Sequence, residues 1–166
     1  MPQILSFTLT VGILGIVVAS AQAEVTGSKK LSDGAQFTSE GGTLRVQFWS
    51  PEIVRVTYVA GAELPTNKSL SVVAIPAKVK LTQGESNDAF ILASTSIKVR
   101  IDKHSGAVSF LDSTDHILLR ETPQGRGIKP ATVAGAAVTA YSQSFETASD
   151  EGIYGLGQHQ RGMWNY

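Results

Sequence analysis

The sequence predicts an all-β fold, an antiparallel β-sandwich, for the part of the chain that follows residue 23. Short segments alternate between polar and apolar side chains, and turn residues separate them at intervals of about 8–12 residues. No segment after residue 23 carries an apolar stripe with the spacing of an amphipathic helix. The 166 residues suffice for one domain, but a barrel enzyme needs about 250.

Residues 1–23 are predicted to be a signal peptide. Residues 5–21 carry no charge, and Ala21-Gln22-Ala23 places small residues at the −3 and −1 positions of a signal-peptidase site. Cleavage before Glu24 would export the protein to the periplasm or the exterior, without membrane attachment. The alternative is an uncleaved membrane anchor, because about 17 apolar or small residues lie at the lower limit for a transmembrane helix.

Charge and residue usage exclude several classes of partner and site. Fourteen Lys and Arg balance fourteen Asp and Glu, for a formal net charge of +0, whereas nucleic-acid binding usually requires a basic excess. The chain has no cysteine, which excludes disulfides and cysteine-ligated metals. The histidines lack metal-ligand spacing, so we expect no metal or other cofactor. They are His104, His116 and His159.

Two adjacent antiparallel strands are predicted between residues 43 and 59. Thr43–Phe48 alternates polar and apolar residues, Ser50-Pro51 interrupts the pattern, and Arg55–Val59 resumes it. The residues expected to face the interior are Leu44, Val46, Phe48, Val54, Val56 and Tyr58.

The next segment predicts a loop and then an edge element. Residues 61–67 contain Gly, Pro and Asn and are predicted to be a loop. Leu70–Leu81 is apolar and β-branched with Pro76 in its middle. This composition predicts either an edge strand or two short strands divided at the proline, because proline cannot donate to a β-ladder.

A three-stranded antiparallel meander is predicted between Ala89 and Glu121. Segments 96–101, 107–111 and 116–120 are joined by turns at 102–106 and 112–115, with Lys98 and Arg100 facing solvent. Residues 131–140 are alanine-rich but β-branched, which favours a strand. The acidic residues in the turns are explained as turn formers rather than catalysts. They are Asp102, Asp112 and Asp115.

The last fifteen residues, 152–166, combine four glycines, three aromatic residues and several planar polar side chains. Aromatic rings can face the C–H surface of a pyranose while planar polar groups bind its hydroxyls. The alternative is a glycine-containing crossover whose aromatic residues pack in an interface. No catalytic residue is assigned. The candidate substrate-pocket residues are His159, Arg161, Trp164 and Asn165.

This terminal segment carries a family resemblance. Ile153 to Gln160, followed by Gly162, Trp164 and Asn165, resembles the Tyr-Gly-Leu-Gly-Gln-His stretch that closes the N-terminal sandwich of glycoside hydrolase family 31, the α-glucosidase and α-xylosidase family. Segments 54–58 and 97–121 are also similar, and the likeness covers most of 37–166. The resemblance implies a galactose mutarotase-like super-sandwich that precedes a catalytic barrel.

The resemblance also implies a function for the parent protein, namely retaining, exo-acting hydrolysis of the O-glycosyl bonds of α-linked glucosides or xylosides. In this family two aspartates on the barrel perform the reaction, and no Asp or Glu here matches them. We expect residues 24–166 to be an accessory domain, cut off before the barrel on which it packs, that serves carbohydrate binding and metabolism and is inactive alone. The alternative is a stand-alone secreted carbohydrate-binding or interaction module. Mutarotase activity would need a His and Glu constellation, and fold alone does not imply it.

Overall fold

The computed structural model describes residues 24–66, 71–152 and 154, and the regular elements within them are β-strands. No helix in this part of the chain is long and apolar enough to cross a bilayer. The proposed signal peptide lies outside the described residues, so the domain boundary at residue 23 stays a prediction. The strands are β1 (Val25–Leu31), β2 (Gly34–Ser39), β3 (Gly42–Ser50), β4 (Ile53–Val59), β5 (Thr82–Glu85), β6 (Ala89–Ala93), β7 (Ile97–Asp102), β8 (Val108–Asp112), β9 (Ile117–Glu121), β10 (Gly127–Val133), β11 (Ala136–Ser142) and β12 (Phe145–Glu146).

The strands form three antiparallel sheets. The first has the order β1-β2-β3-β4, the second has the order β12-β9-β8-β7-β6-β5, and β10 pairs with β11 as a separate hairpin. Neighbours in the larger sheets are mostly consecutive in the chain, as expected for hairpin connections. This arrangement confirms the predicted all-β antiparallel architecture, and the packing of the two larger sheets agrees with a sandwich.

The hydrophobic core lies between the four-stranded and six-stranded sheets. Because successive side chains of a strand point to opposite faces, every second residue of β3 and β7 reaches this interface. The predicted inner residues of β3 are buried, and those of β4 are half-buried against the core. The buried apolar residues of the cluster are Ala35, Phe37, Leu44, Val46, Phe48, Leu92, Val99, Ile101 and Val108.

Hydrogen bonds also join the two sheets along one side. The backbone N–H of Val25 donates to the carbonyl oxygen of Lys103 at 2.8 Å. The Gln83 amide nitrogen on β5 donates to the carbonyl oxygens of Leu31 at 3.0 Å and Gly34 at 3.1 Å. The β1–β2 hairpin, which the sequence analysis did not predict, is therefore fixed to the opposite sheet.

The prediction of an edge strand or two short strands within Leu70–Leu81 is wrong. Residues 71–81 contain no strand, and residue 70 lies outside the described residues. Val73 is 93% exposed and Ile75 is 89% exposed, whereas Val79 and Leu81 are partly buried against the core, so the apolar composition reflects burial only at the C-terminal end of the segment. Pro76 offers no N–H to a ladder, and the segment is attached instead through the Ala77 N–H, which donates to the Trp49 carbonyl at 2.9 Å.

The predicted meander is confirmed as β7, β8 and β9, and its turns are closed by aspartate. Asp102 Oδ1 accepts hydrogen bonds from the backbone N–H groups of His104 at 3.1 Å and Ser105 at 2.8 Å. Asp112 Oδ1 accepts in the same way from the N–H groups of Thr114 and His116. Their role as turn formers therefore follows from these contacts.

The alanine-rich segment forms strands, as predicted, but as a hairpin rather than one strand. Ala134 and Gly135 separate β10 from β11 and have φ angles of 49° and 82°. Positive φ at both central residues is typical of the two-residue turns whose twist matches that of antiparallel strands. Ala134 and Gly135 are therefore the central residues of the turn.

Gly42→Ala should destabilise the chain by about 1–3 kcal/mol, the cost of a strained backbone position. Gly42 begins β3 with a φ of 144°, and an added Cβ would lie 2.0 Å from the carbonyl oxygen of Val59. The measurement is urea unfolding of the purified chain. Gly84→Ala on edge strand β5 is the matched control, because its Cβ would meet nothing within 4 Å. Equal effects of both changes would contradict the prediction.

Asp102→Asn should reduce stability more at neutral than at acidic pH. Burial raises the pKa of Asp102, but the hydrogen bonds from Ser105 and His104 outweigh it, so the pKa lies below its ordinary value of 3.8. The charged form therefore stabilises the fold above that value, and this contribution is lost as the pH falls through the lower folded-state pKa. Urea unfolding at several pH values measures the difference, with exposed Asp150→Asn as control. A gap that widens on acidification would refute this assignment.

Candidate functional site

A buried carboxylate, Glu121, lies at the end of β9 and is only 3% exposed. Its Oε2 accepts a hydrogen bond from the Val108 backbone N–H at 2.8 Å and another from Arg126 Nη2. Its Oε1 accepts from the Gln143 side-chain amide. Burial of a carboxylate is costly unless donors compensate it, and here both oxygens are occupied. We call Glu121, Arg126 and Gln143 the Glu121 cluster.

A tight turn after β9 brings the cluster together. The Gly125 N–H donates to the Thr122 carbonyl and the Ser144 N–H to the Gly125 carbonyl, both at 2.9 Å. A Cβ at Gly125 would lie 2.2 Å from Thr122 Oγ1 and 2.8 Å from the Ser144 carbonyl oxygen, so the approach requires glycine. The turn therefore directs Arg126 back toward Glu121 and places the segment after β11 beside it.

Arg126 connects the cluster to the first sheet. Its guanidinium carbon lies 4.7 Å from the centroid of the Tyr58 ring on β4, a distance at which a cation is attracted to the ring face. The Arg126 side chain is 17% exposed, and Nη2 also lies 3.4 Å from the Gly106 carbonyl oxygen. Within the described part of the chain, Nη1 and Nε of Arg126 have no hydrogen-bond partner.

A cleft of about 240 Å³ opens beside the cluster, between β4 and the β10–β11 hairpin. We call it the hairpin cleft. The first sheet supplies one wall and the hairpin the other, while the Glu121 cluster contributes two polar side chains. Its lining residues are Val56, Tyr58, Arg126, Gly127, Ile128, Tyr141, Ser142 and Gln143.

The chemistry available to the cluster is positioning rather than proton transfer. A general acid, base or nucleophile must reach the reacting atom of a substrate, but Glu121 is buried and both of its oxygens already accept hydrogen bonds. Its charge is paired with that of Arg126. Glu121 is therefore arranged to hold Arg126 and Gln143 in fixed orientations.

The four predicted pocket residues, His159, Arg161, Trp164 and Asn165, lie outside the described residues, and their role stays a prediction. His104 is exposed in its turn, with Nε2 3.9 Å from Asp88 Oδ1. His116 is exposed just before β9. In residues 24–66, 71–152 and 154, no three His, Asp or Glu side chains are grouped as metal ligands.

The Glu121 cluster was missed by the sequence analysis, although a partial signal exists. A carboxylate that the fold buries needs a donor nearby, but strand alternation does not mark Glu121 as buried, because Leu119 on the same face of β9 is 41% exposed. Arg126 follows five residues later in a glycine-containing turn. Gln143 has no comparable signal, because it reaches Glu121 only through the folding of the intervening hairpin.

Comparisons with known proteins agree with this fold. A sequence model described as the glycosyl hydrolase 31 N-terminal galactose mutarotase-like domain matches residues 43–163. The GH31 alpha-xylosidase from Xanthomonas citri is similar with a TM-score of 0.69 and 28% identity, over 82% of this chain and 15% of that one. A GH31 alpha-xylosidase from a soil metagenome, complexed with xylose, has a TM-score of 0.64 and 24% identity, over 84% and 23% of the two chains. The chain thus spans less than a quarter of either enzyme.

Glu121→Gln should destabilise the chain by about 3–5 kcal/mol, because it leaves the guanidinium of Arg126, whose side chain is only 17% exposed, without its counter-charge. Glu146→Gln on β12 is the matched control. Its pair with Arg120 spans 3.3 Å, with both side chains more than 40% exposed, and such pairs contribute about 0–1 kcal/mol.

The coupling energy between Glu121 and Arg126 is measured by chemical unfolding of Glu121→Gln, of Arg126→Gln and of the double variant that carries both changes. The double variant should lose less stability than the sum of the two single changes, since the charges are removed together. Additive losses would show that the two charges are not coupled, and equal losses for Glu121 and Glu146 would show that the buried pair stabilises the fold no more than an exposed one.

Proposed function

The chain belongs to the glycosyl hydrolase 31 N-terminal galactose mutarotase-like domain family, and from this membership we propose that it is the accessory domain of a retaining, exo-acting α-glycosidase. The family match over residues 43–163 carries the proposal. The 28% identity with an alpha-xylosidase of which the chain spans only 15% supports it. The proposed substrates of the parent enzyme are α-linked xylosides or glucosides.

The domain's proposed role is to pack on the catalytic barrel. Exposed large apolar side chains on β9, the hairpin and β12 support this role, because exposed apolar surface commonly marks an interaction site. Residues 1–23 would direct export to the periplasm or the exterior. The exposed apolar residues of these strands include Ile117, Leu118, Leu119, Val133, Val138 and Phe145.

Hydrolysis is proposed to reside on the barrel, so that this chain alone is inactive. A retaining glycosidase needs two carboxyl groups about 5–5.5 Å apart, one as nucleophile and the other as acid/base. Glu121 is unsuited to either role because its oxygens are occupied by Val108, Arg126 and Gln143. The hydrolytic chemistry of the parent enzyme would therefore be supplied by another part of the protein.

The purified chain should not hydrolyse 4-nitrophenyl α-xyloside or α-glucoside above the rate of a heat-denatured sample. The reason is the absence of a free carboxylate pair in the cluster described above. Release of nitrophenol is measured by absorbance, with the Xanthomonas citri enzyme as positive control. Turnover that remains with the chain through successive purification steps would overturn the assignment of hydrolysis to the barrel.

The coding DNA that follows the codon for Tyr166 tests the accessory role separately. We expect an open reading frame that continues into a barrel with two suitably placed aspartates. A stop codon in an independent gene would instead favour a stand-alone secreted module that binds carbohydrate or another protein.

A further inference from the structure

The hairpin cleft combines an exposed aromatic ring with hydrogen-bonding groups in fixed positions. We propose that this cleft binds a single neutral pyranose ring. The proposal goes beyond the accessory role and does not depend on it. It rests on the lining residues of the cleft, on their contacts with Glu121 and on the charge balance of the cluster.

Tyr141 is the surface on which the ring would stack. It lies on β11 and is 69% exposed, so its face is available without rearrangement of the core. The other aromatic residue of the cleft, Tyr58, already carries the Arg126 guanidinium 4.7 Å from its centroid. Aromatic rings favour the apolar C–H surface of a sugar, which makes Tyr141 the stacking residue.

Polar groups that line the same cleft match sugar hydroxyls. The Gln143 amide nitrogen is held by Glu121, which leaves its Oε1 as an acceptor with no hydrogen-bond partner among the described residues. Arg126 similarly retains Nη1 and Nε as donors, and the Ser142 hydroxyl can donate and accept. Because Glu121 already orients Gln143 and Arg126, binding would order few additional rotamers.

The charge and size of the cleft select the class of ligand. Arg126 is the charged residue that lines it, and the carboxylate of Glu121 compensates that charge. A ligand anion would therefore meet no uncompensated positive charge to offset its loss of hydration. The volume of about 240 Å³ lies below the range of about 300–1,000 Å³ for drug-sized ligands, so the cleft suits one ring.

Titration of the purified full chain with methyl α-xyloside and methyl α-glucoside, followed by NMR, tests the proposal. The signals expected to shift are the Gln143 side-chain amide and the Arg126 Nε–H. Tyr141→Ala should weaken binding by about five- to tenfold, the loss expected for one aromatic contact. Methyl α-glucuronide, which adds a carboxylate to the same ring, should bind more weakly than the glucoside.

Tyr154→Ala is the matched control, since Tyr154 is 66% exposed and lies outside the cleft lining. It should leave the affinity unchanged. Absence of saturable shifts in the wild-type chain, equal losses for both tyrosine variants, or tighter binding of the glucuronide would overturn the proposal. Shift mapping on the wild-type chain does not depend on the folding of any variant. The titration is also independent of the hydrolysis assay, so a failure of sugar binding in the cleft can be distinguished from a failure of the proposed accessory role.

Discussion

The carboxylate of Glu121 is the constraint on which the open side of the sandwich depends. Once buried, it needs donors, and they come from three places in the chain: the β8 backbone at Val108, the turn before β10 at Arg126 and the segment after β11 at Gln143. Arg126 in turn lies over Tyr58 of the opposite sheet. One charge therefore links both large sheets and the hairpin on this side of the sandwich.

The core between β3 and β7 is specified in a different way. Its members are aliphatic and aromatic side chains such as Val46, Phe48 and Val99, and hydrophobic packing tolerates exchanges that conserve volume and pattern. A buried polar network requires each partner at a defined distance and angle. The apolar core thus supplies the general driving force for folding, whereas the Glu121 cluster defines where the hairpin lies.

This division explains which parts of the molecule the sequence could predict. Alternation at 43–59 and 97–121 reports a face buried against a neighbouring sheet, and both segments form strands there. The segment 71–81 has a similar composition but forms no strand. Composition alone does not show whether a neighbouring strand is available to form hydrogen bonds. The hairpin β1–β2 escaped prediction since β1 is a largely exposed edge strand containing Lys29 and Lys30. The cluster itself joins Glu121 to Gln143, 22 residues apart, through a hairpin whose position no local pattern encodes.

The same cluster shows how one network can combine stabilisation with recognition. A carboxylate that is only 3% exposed and accepts hydrogen bonds on both oxygens is not presented to a substrate, so it is unsuited to proton transfer. Its partners are different, because Arg126 and Gln143 each use one nitrogen to bind Glu121 and keep other polar atoms at the wall of the cleft. Their orientation is thus already determined by folding, which lowers the entropic cost of holding a ligand. A domain without a free catalytic carboxylate in this cluster can therefore present an ordered, electrically neutral binding surface.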